Sequence, residues 1–167
     1  NLTAFIGKND AGKSSVFEAL EIFFNNKLVK CERADLNIEA DNNLIEISCV
    51  FVDLPEELVL DAAHPTNLGD EYLLNADGQL EIKKVYPATS VNPSPKIYIT
   101  CDHPSVASGD DLLTLKRAAL IARANELDVP GENYNGAVNA SIRQAIRNSF
   151  QDLQIVHTDL YVDKEDT

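Results

Sequence analysis

A loop pattern near the start of the chain constrains its fold more than any other sequence feature. Residues 7–14 read Gly-Lys-Asn-Asp-Ala-Gly-Lys-Ser, which fits the spacing G-x-x-x-x-G-K-[ST]. The apolar run LTAFI (2–6) precedes the loop as a short buried strand would, and residues 14–24 follow with the apolar spacing of a helix. A strand, a glycine-bounded loop and a helix in this order predict an α/β protein of the P-loop NTPase class.

The residue types in this loop indicate that its ligand is a nucleotide phosphate. Gly7 and Gly12 permit backbone angles and close approaches that a Cβ atom would block. The loop amides can then point at phosphate oxygens, and the next helix adds its positive N-terminal end. Lys13 would stabilise charge on the transferring phosphoryl group as the catalytic residue, and the Ser14 hydroxyl would ligate Mg²⁺. The full set of predicted nucleotide-binding residues is Gly7, Asn9, Asp10, Ala11, Gly12, Lys13, Ser14 and Ser15.

The stretch FIGKNDAGKSSVFEALEIFF (5–24) resembles the N-terminal segment of SMC-like, ABC-type ATPases. It is most similar to the overcoming-lysogenization-defect (OLD) family of ATP-dependent endonucleases. Asn9 and Asp10 in the loop, the Lys-Ser-Ser before an apolar-Glu-Ala-Leu helix, and a later Asp35-Leu36 segment carry this similarity. It is strong over residues 1–25, weaker over 26–60, and only architectural beyond them.

The resemblance implies an ATPase head that is split in sequence, using ATP and Mg²⁺. The N-terminal lobe would hold the phosphate loop, and a distant C-terminal lobe would supply the signature motif, the Walker B acids and a switch histidine. Two heads would sandwich two ATP molecules, so a homodimer through the heads is expected. Nuclease activity in a Toprim domain, action on DNA, and a role in DNA repair or phage defence follow only from the resemblance.

The whole chain, 1–167, is therefore predicted to be a single ATP-binding lobe of a longer protein. It contains no Met and opens within an apolar run, which agrees with that expectation. Three parts are predicted: the P-loop strand and helix (1–30), an antiparallel sheet (40–102) and a helical part (109–153).

Within these parts, alternating apolar residues predict a half-buried strand over 44–54, with Ile45, Ile47, Cys49 and Phe51 on its inner face. The other predicted elements are a short helix over 55–63, a hairpin at Ala76-Asp77-Gly78 between EYLLN and QLEIKKVY, a strand over 96–102, a helix over 110–127 capped by Gly109 or Asp110, a helix over 137–153, and a strand or acidic tail after it.

Two other functions are compatible with the loop. Cys49 to Asp53 is four apolar residues and an acid, as in a Walker B strand, and Asp53 could then serve a self-contained small P-loop NTPase or kinase. The alternation around it favours an antiparallel strand, because a core parallel strand is apolar on both faces. The chain could instead be a non-catalytic interaction module that is gated by nucleotide.

Charge argues against nucleic-acid binding by this segment. Acidic residues outnumber basic ones by 27 to 14, a net charge of −13, whereas backbone-driven DNA binding needs basic footprints. The basic groups are interpreted as solvated faces of strands and helices: Lys83–Lys84, Lys116–Arg117 with Arg123, and Arg143 with Arg147. DNA could bind the full-length protein elsewhere.

Composition also bears on location and on other sites. No run of about 18 apolar residues predicts a membrane span, and Cys31, Cys49 and Cys101 lack the CxxC spacing, so a cytoplasmic protein with reduced thiols is expected. His64, His103 and His157 lack metal-ligand spacing, and Asp102-His103 is predicted in a surface loop. Asp128-Val-Pro-Gly131 is interpreted as a turn rather than as a GTPase motif.

Overall fold

The computed structural model describes residues 3–8, 12–24, 28–55, 58–61 and 64–162, with the backbone alone for 58–61 and 64–65. Three α-helices lie within these ranges, α1 (Lys13–Phe23), α2 (Arg117–Glu126) and α3 (Asn139–Ser149). The strands are β1 (Leu44–Phe51), β2 (Leu58–Asp61), β3 (His64–Thr66), β4 (Leu80–Pro87), β5 (Lys96–Pro104) and β6 (Ile155–Val162). Short 3-10 helices span Arg33–Asp35, Leu112–Thr114 and Gly131–Asn133.

An antiparallel sheet with the strand order β1-β4-β5-β6 joins four of the strands, and β2 pairs with β3 in a separate hairpin. Side chains along β1 alternate between exposed and half-buried, with Ile45, Ile47, Cys49 and Phe51 on the inner face. The predicted half-buried antiparallel strand is confirmed, and β1 lies at an edge of the sheet.

The predicted buried strand at 2–6 is wrong over the residues that the structure describes. Residues 3–8 form no strand, and the side chains of Phe5 and Ile6 are 47% and 96% exposed. An apolar run becomes a buried strand only where a neighbouring strand accepts its backbone hydrogen bonds, and none of the four strands of the described sheet pairs with it.

Two other local predictions are wrong because strand pairing and turn conformation, rather than apolar spacing, decide the structure. The segment predicted as a helix over 55–63 contains β2, which pairs with β3 through Leu58 opposite Thr66 and Asp61 opposite His64. The EYLLN segment is a turn that includes left-handed Tyr72 (φ 57°), so the turn at Gly78 (φ 71°) joins a strand on one side only.

The predicted helix over 110–127 divides into a 3-10 turn and α2. Leu115 and Lys116 between them are extended, and Lys116, not Gly109 or Asp110, is the N-cap of α2. Asp111, the N-cap of the 3-10 turn, accepts two hydrogen bonds from Arg123 of α2, at 2.9 and 3.1 Å, which link the turn to the side of the helix. α3 and β6 lie where the sequence predicts a helix and a possible strand.

The chain divides into two compact units, each with its own buried residues. Unit 1 comprises residues 1–49, 82–98 and 161–167, and unit 2 comprises residues 50–81 and 99–160. In unit 2, α2 and α3 pack around an apolar core formed by Leu112, Leu120, Ala124, Val129, Ile142, Ala145 and Ile146. Unit 1 contains the glycine-bounded loop, α1, and the buried residues Phe23, Cys31, Tyr86 and Ala88. None of the helices in the described parts of the chain has the length and apolar character needed to cross a bilayer.

Candidate functional site

Gly12 forms the junction between the loop and α1. Its backbone is left-handed (φ 74°, ψ 10°), and its carbonyl accepts the first helical hydrogen bond, from Val16 N–H at 3.2 Å. A Cβ added here would meet nothing within 4 Å, so space does not explain the glycine. The backbone angle does, because only glycine adopts it routinely.

The Lys13 side chain folds back onto the loop that precedes it. Its ammonium donates hydrogen bonds to the carbonyl oxygens of Gly7 at 2.9 Å and Lys8 at 2.6 Å. The positive charge is therefore held against the loop backbone, at the end of α1 where the amides of the first turn lack carbonyl partners within the helix. A cation and unpaired amides at one place make an anion-binding arrangement.

Ser14 and Ser15 follow in the first turn of α1, and both are exposed. A hydroxyl on Ser14 is a ligand type that Mg²⁺ accepts, and its exposure leaves it accessible to solvent. The structure thus groups Gly7, Gly12, Lys13, Ser14 and Ser15 around the start of one helix. Asn9, Asp10 and Ala11 lie outside the described residues, so their roles stay predictions.

A family model described as an AAA ATPase domain matches residues 1–167, the entire chain. The chain belongs to the AAA ATPase domain family. No curated protein and no solved structure matches it. ATP binding and hydrolysis are the activities that go with an ATPase domain of this family, and the loop at Lys13 is the candidate site for them.

The other end of α1 in this ATPase domain is attached to β4 by polar contacts that the sequence reading missed. Lys84 donates from its ammonium to the Phe23 carbonyl at 2.6 Å, and the Tyr86 hydroxyl lies 3.4 Å from the Ile22 carbonyl. Lys84 is 6% exposed, so its assignment to a solvated face is wrong. Its position in register with buried Tyr86 on an alternating strand was the available signal.

Several large apolar side chains at α1 and its C-cap are exposed. Val16, Phe17, Leu20 and Phe24, named here the α1 apolar stripe, are 37% to 62% exposed, whereas Phe23 is buried. Phe17 contacts Phe5 edge to face, with ring centroids 5.3 Å apart. On its other side, α1 borders a cavity of about 540 Å³ lined by Ser15, Ile22 and residues of β1. That volume is in the range of small-molecule sites.

Asp53 is an exposed residue after the edge strand β1 of the ATPase domain. It has a left-handed backbone (φ 55°) and borders a cavity of about 390 Å³ in unit 2, together with Asn67 and Gln79. A Walker B acid follows a core parallel strand, whereas β1 is antiparallel to its neighbour and wet on one face. The geometry of β1 therefore does not favour Asp53 as a Walker B acid.

The predicted solvated basic face on α3 is a buried ion-pair cluster. Arg143 and Arg147 are 5% and 3% exposed, and both bind Glu71, through Nε at 2.9 Å and Nη1 at 2.8 Å respectively. Burial alone would raise the pKa of Glu71, but hydrogen bonds and charge from both guanidinium groups lower it below its ordinary value. These arginines are thus not available to a phosphate backbone.

Asp102 and His103 lie on β5, not in a surface loop. His103 is 1% exposed and its Nδ1 lies 3.0 Å from the Tyr72 carbonyl, while Asp102 on the opposite face pairs with exposed His157 at 2.9 Å. The prediction failed because β5 extends to Pro104.

Asp128 has a left-handed backbone in the turn after α2, which confirms the reading of 128–131 as a turn.

The three cysteines are free thiols, and Cys31 and Cys101 are buried. Burial, with nearby carboxylates, raises the pKa of each of these two to about 11. Burial also raises the pKa of half-buried Cys49. Cys101 therefore packs as a small apolar residue.

Proposed function

We propose that this ATPase domain binds ATP with Mg²⁺ through residues 7–15. Lys13 contacts the β- and γ-phosphates, backbone amides from Asn9 to Ser15 cradle the phosphates, and Ser14 holds Mg²⁺. The observation that carries the proposal is the position of the Lys13 ammonium, 2.9 and 2.6 Å from two loop carbonyls.

Each residue of the loop has a physical task in this proposal. An anionic phosphate oxygen competes with the Gly7 and Lys8 carbonyls for the Lys13 ammonium, and the charge-assisted bond is the stronger one. Gly12 turns the chain into α1, whose first amides have no carbonyl partner within the helix and would face the phosphates. Bound Mg²⁺ would neutralise charge on the phosphates.

Hydrolysis, in this proposal, needs a C-terminal lobe of the same protein and head dimerisation, as in SMC-like and OLD-like ATPases. The α1 apolar stripe supports it, because exposed apolar patches mark surfaces that pack against another protein surface. By the same resemblance, the full protein acts on DNA as an ATP-dependent endonuclease, in the cytoplasm, in DNA repair or phage defence.

The test is Mg²⁺-dependent ATP binding and turnover by the chain, by Lys13→Ala, and by Lys96→Ala as a control. Lys96 is an exposed lysine at the start of β5, so its removal changes the charge equally without touching the loop. We expect binding to be lost only in Lys13→Ala, and little turnover in any of the three. Equal binding by all three contradicts the site.

Turnover by the chain alone contradicts the split head and favours a self-contained enzyme that uses Asp53. The variant Asp53→Asn then tests that alternative, because it should abolish ATP turnover if Asp53 is the Walker B acid. If instead ATP changes self-association without turnover even in the full-length protein, the domain is a nucleotide-gated interaction module.

A further inference from the structure

We propose that Lys84 of β4 is a positioning residue for the phosphate loop, because it anchors the far end of α1. The expected effect of Lys84 on ATP affinity rests on the proposed function. The geometry of the anchor involves only residues of unit 1.

A charged lysine is an unusual choice for this buried position. Lys84 is 6% exposed, and lysine is almost never fully buried unless its charge has a partner. Its ammonium donates to the Phe23 carbonyl at 2.6 Å and lies 5.2 Å from the centroid of the Phe23 ring. The carbonyl and the ring face are both attractive to a cation, and both of these contacts fall on one residue of α1.

The end of a helix is where such a cation is most effective. The last four carbonyls of a helix have no partner within it, and the helix dipole makes that end negative. Lys84 binds the carbonyl of Phe23, the last residue of α1, while the Tyr86 hydroxyl approaches that of Ile22. β4 thus binds two successive carbonyls at the C-terminal end of the helix.

This anchor matters because it acts on the one fully buried residue of α1, while Ala19, Glu21 and Ile22 are only half-buried. Of its 11 residues, all of which the structure describes, only Phe23 is buried, and the α1 apolar stripe is exposed. A helix of this length is a rod about 16 Å long. The placement of Gly12, Lys13 and Ser14 at one end therefore depends on how Phe23 is held at the other.

The experiment compares Lys84→Met, Lys84→Arg and Lys83→Met. Methionine fills similar space without a charge or donor, arginine keeps both, and Lys83→Met removes the same charge from the neighbouring residue on the opposite face of β4. ATP titration of each variant gives the Kd and the number of sites per chain. We expect Lys84→Met to raise Kd about tenfold with one site retained, Lys84→Arg to recover most of the affinity, and Lys83→Met to stay within about twofold.

A merely structural role predicts a different result, because partial unfolding lowers the number of sites while the folded fraction keeps its Kd. That result in Lys84→Met, or an affinity equal to that of the wild type, overturns the inference. Equal weakening by Lys83→Met would assign the effect to charge alone and would also overturn it.

Amide hydrogen exchange without nucleotide separates this inference from the proposed function. We expect Lys84→Met to speed exchange along α1, including the amides of Val16 and Phe17 near the loop, and Lys83→Met to leave it unchanged. If the wild type does not bind ATP, the proposed function fails, and the exchange of α1 still decides whether Lys84 positions the loop. Unchanged exchange in Lys84→Met refutes the anchor.

Discussion

At the scale of single residues, His103 shows how burial changes a titratable side chain. It is almost fully buried, and its Nδ1 lies 3.0 Å from the Tyr72 carbonyl. Burial lowers the pKa of His103, and the charge of Arg147 acts in the same direction, although the backbone of Tyr72 and the backbone and charge of Asp110 partly oppose them. The folded protein therefore keeps this imidazole neutral at a pH where the unfolded chain takes up a proton.

The free energy of unfolding should accordingly fall as the pH drops below about 6.5, the ordinary pKa of histidine. The sign follows because the folded pKa is the lower one: stability is fully present above the unfolded value and is lost as the pH falls towards the folded value. His103→Gln should lose this pH dependence between pH 7 and 5, and exposed His157→Gln should retain it. Urea unfolding at several pH values measures both, and an unchanged profile in His103→Gln contradicts the prediction.

At the scale of elements, the attachment of α3 depends on one carboxylate. Arg143 and Arg147 are one helical turn apart, so they share a face, and both reach Glu71 in the turn that precedes β4. Because all three side chains are buried, removal of the shared acid leaves two cations without compensation.

Glu71→Gln should therefore lower the free energy of unfolding by roughly 3–5 kcal/mol. The matched control is Asp111→Asn, which breaks the partly exposed pair with Arg123 and should cost no more than about 1 kcal/mol. Denaturant titration of both variants measures the difference. Similar losses in the two variants would contradict the stabilising role of the buried cluster.

The elements also show what could be predicted from the sequence. β1 and α3 lie where they are predicted because their signals are local: alternation and helical period. The strand at 2–6 and the solvated positions of Lys84, Arg143 and Arg147 were wrong because they depend on distant partners. The helix over 55–63 was wrong because β2 pairs with the neighbouring strand β3. The spacing of Gly7, Gly12 and Lys13 predicts the loop. The hydrogen bond from Lys84 to the end of α1 is visible only in the folded structure.

At the scale of the whole molecule, the burial of cations reduces the basic surface of a chain that is already acidic. The chain carries a net charge of −13, and three of its cations, Lys84, Arg143 and Arg147, are buried. Arg123 is paired with Asp111. The basic surface that could neutralise phosphates is therefore even smaller than the sequence suggests.

This chain should consequently show no binding to duplex DNA at 0.15 M salt up to about 100 µM, the weak limit of non-specific binding by DNA-binding proteins. Fluorescence anisotropy with a labelled duplex measures it, with and without ATP and Mg²⁺. Binding that weakens steeply with added salt would show a basic footprint on this domain and contradict the prediction.

The buried thiols of Cys31 and Cys101 have a practical consequence for such experiments. With a pKa of about 11, only about one thiol in ten thousand is ionised at neutral pH, and the thiolate is the form that reacts with maleimides. The raised pKa of Cys49 acts in the same direction. A cysteine introduced on the exposed face of α1 should therefore take a fluorophore selectively, with all three native cysteines left in place.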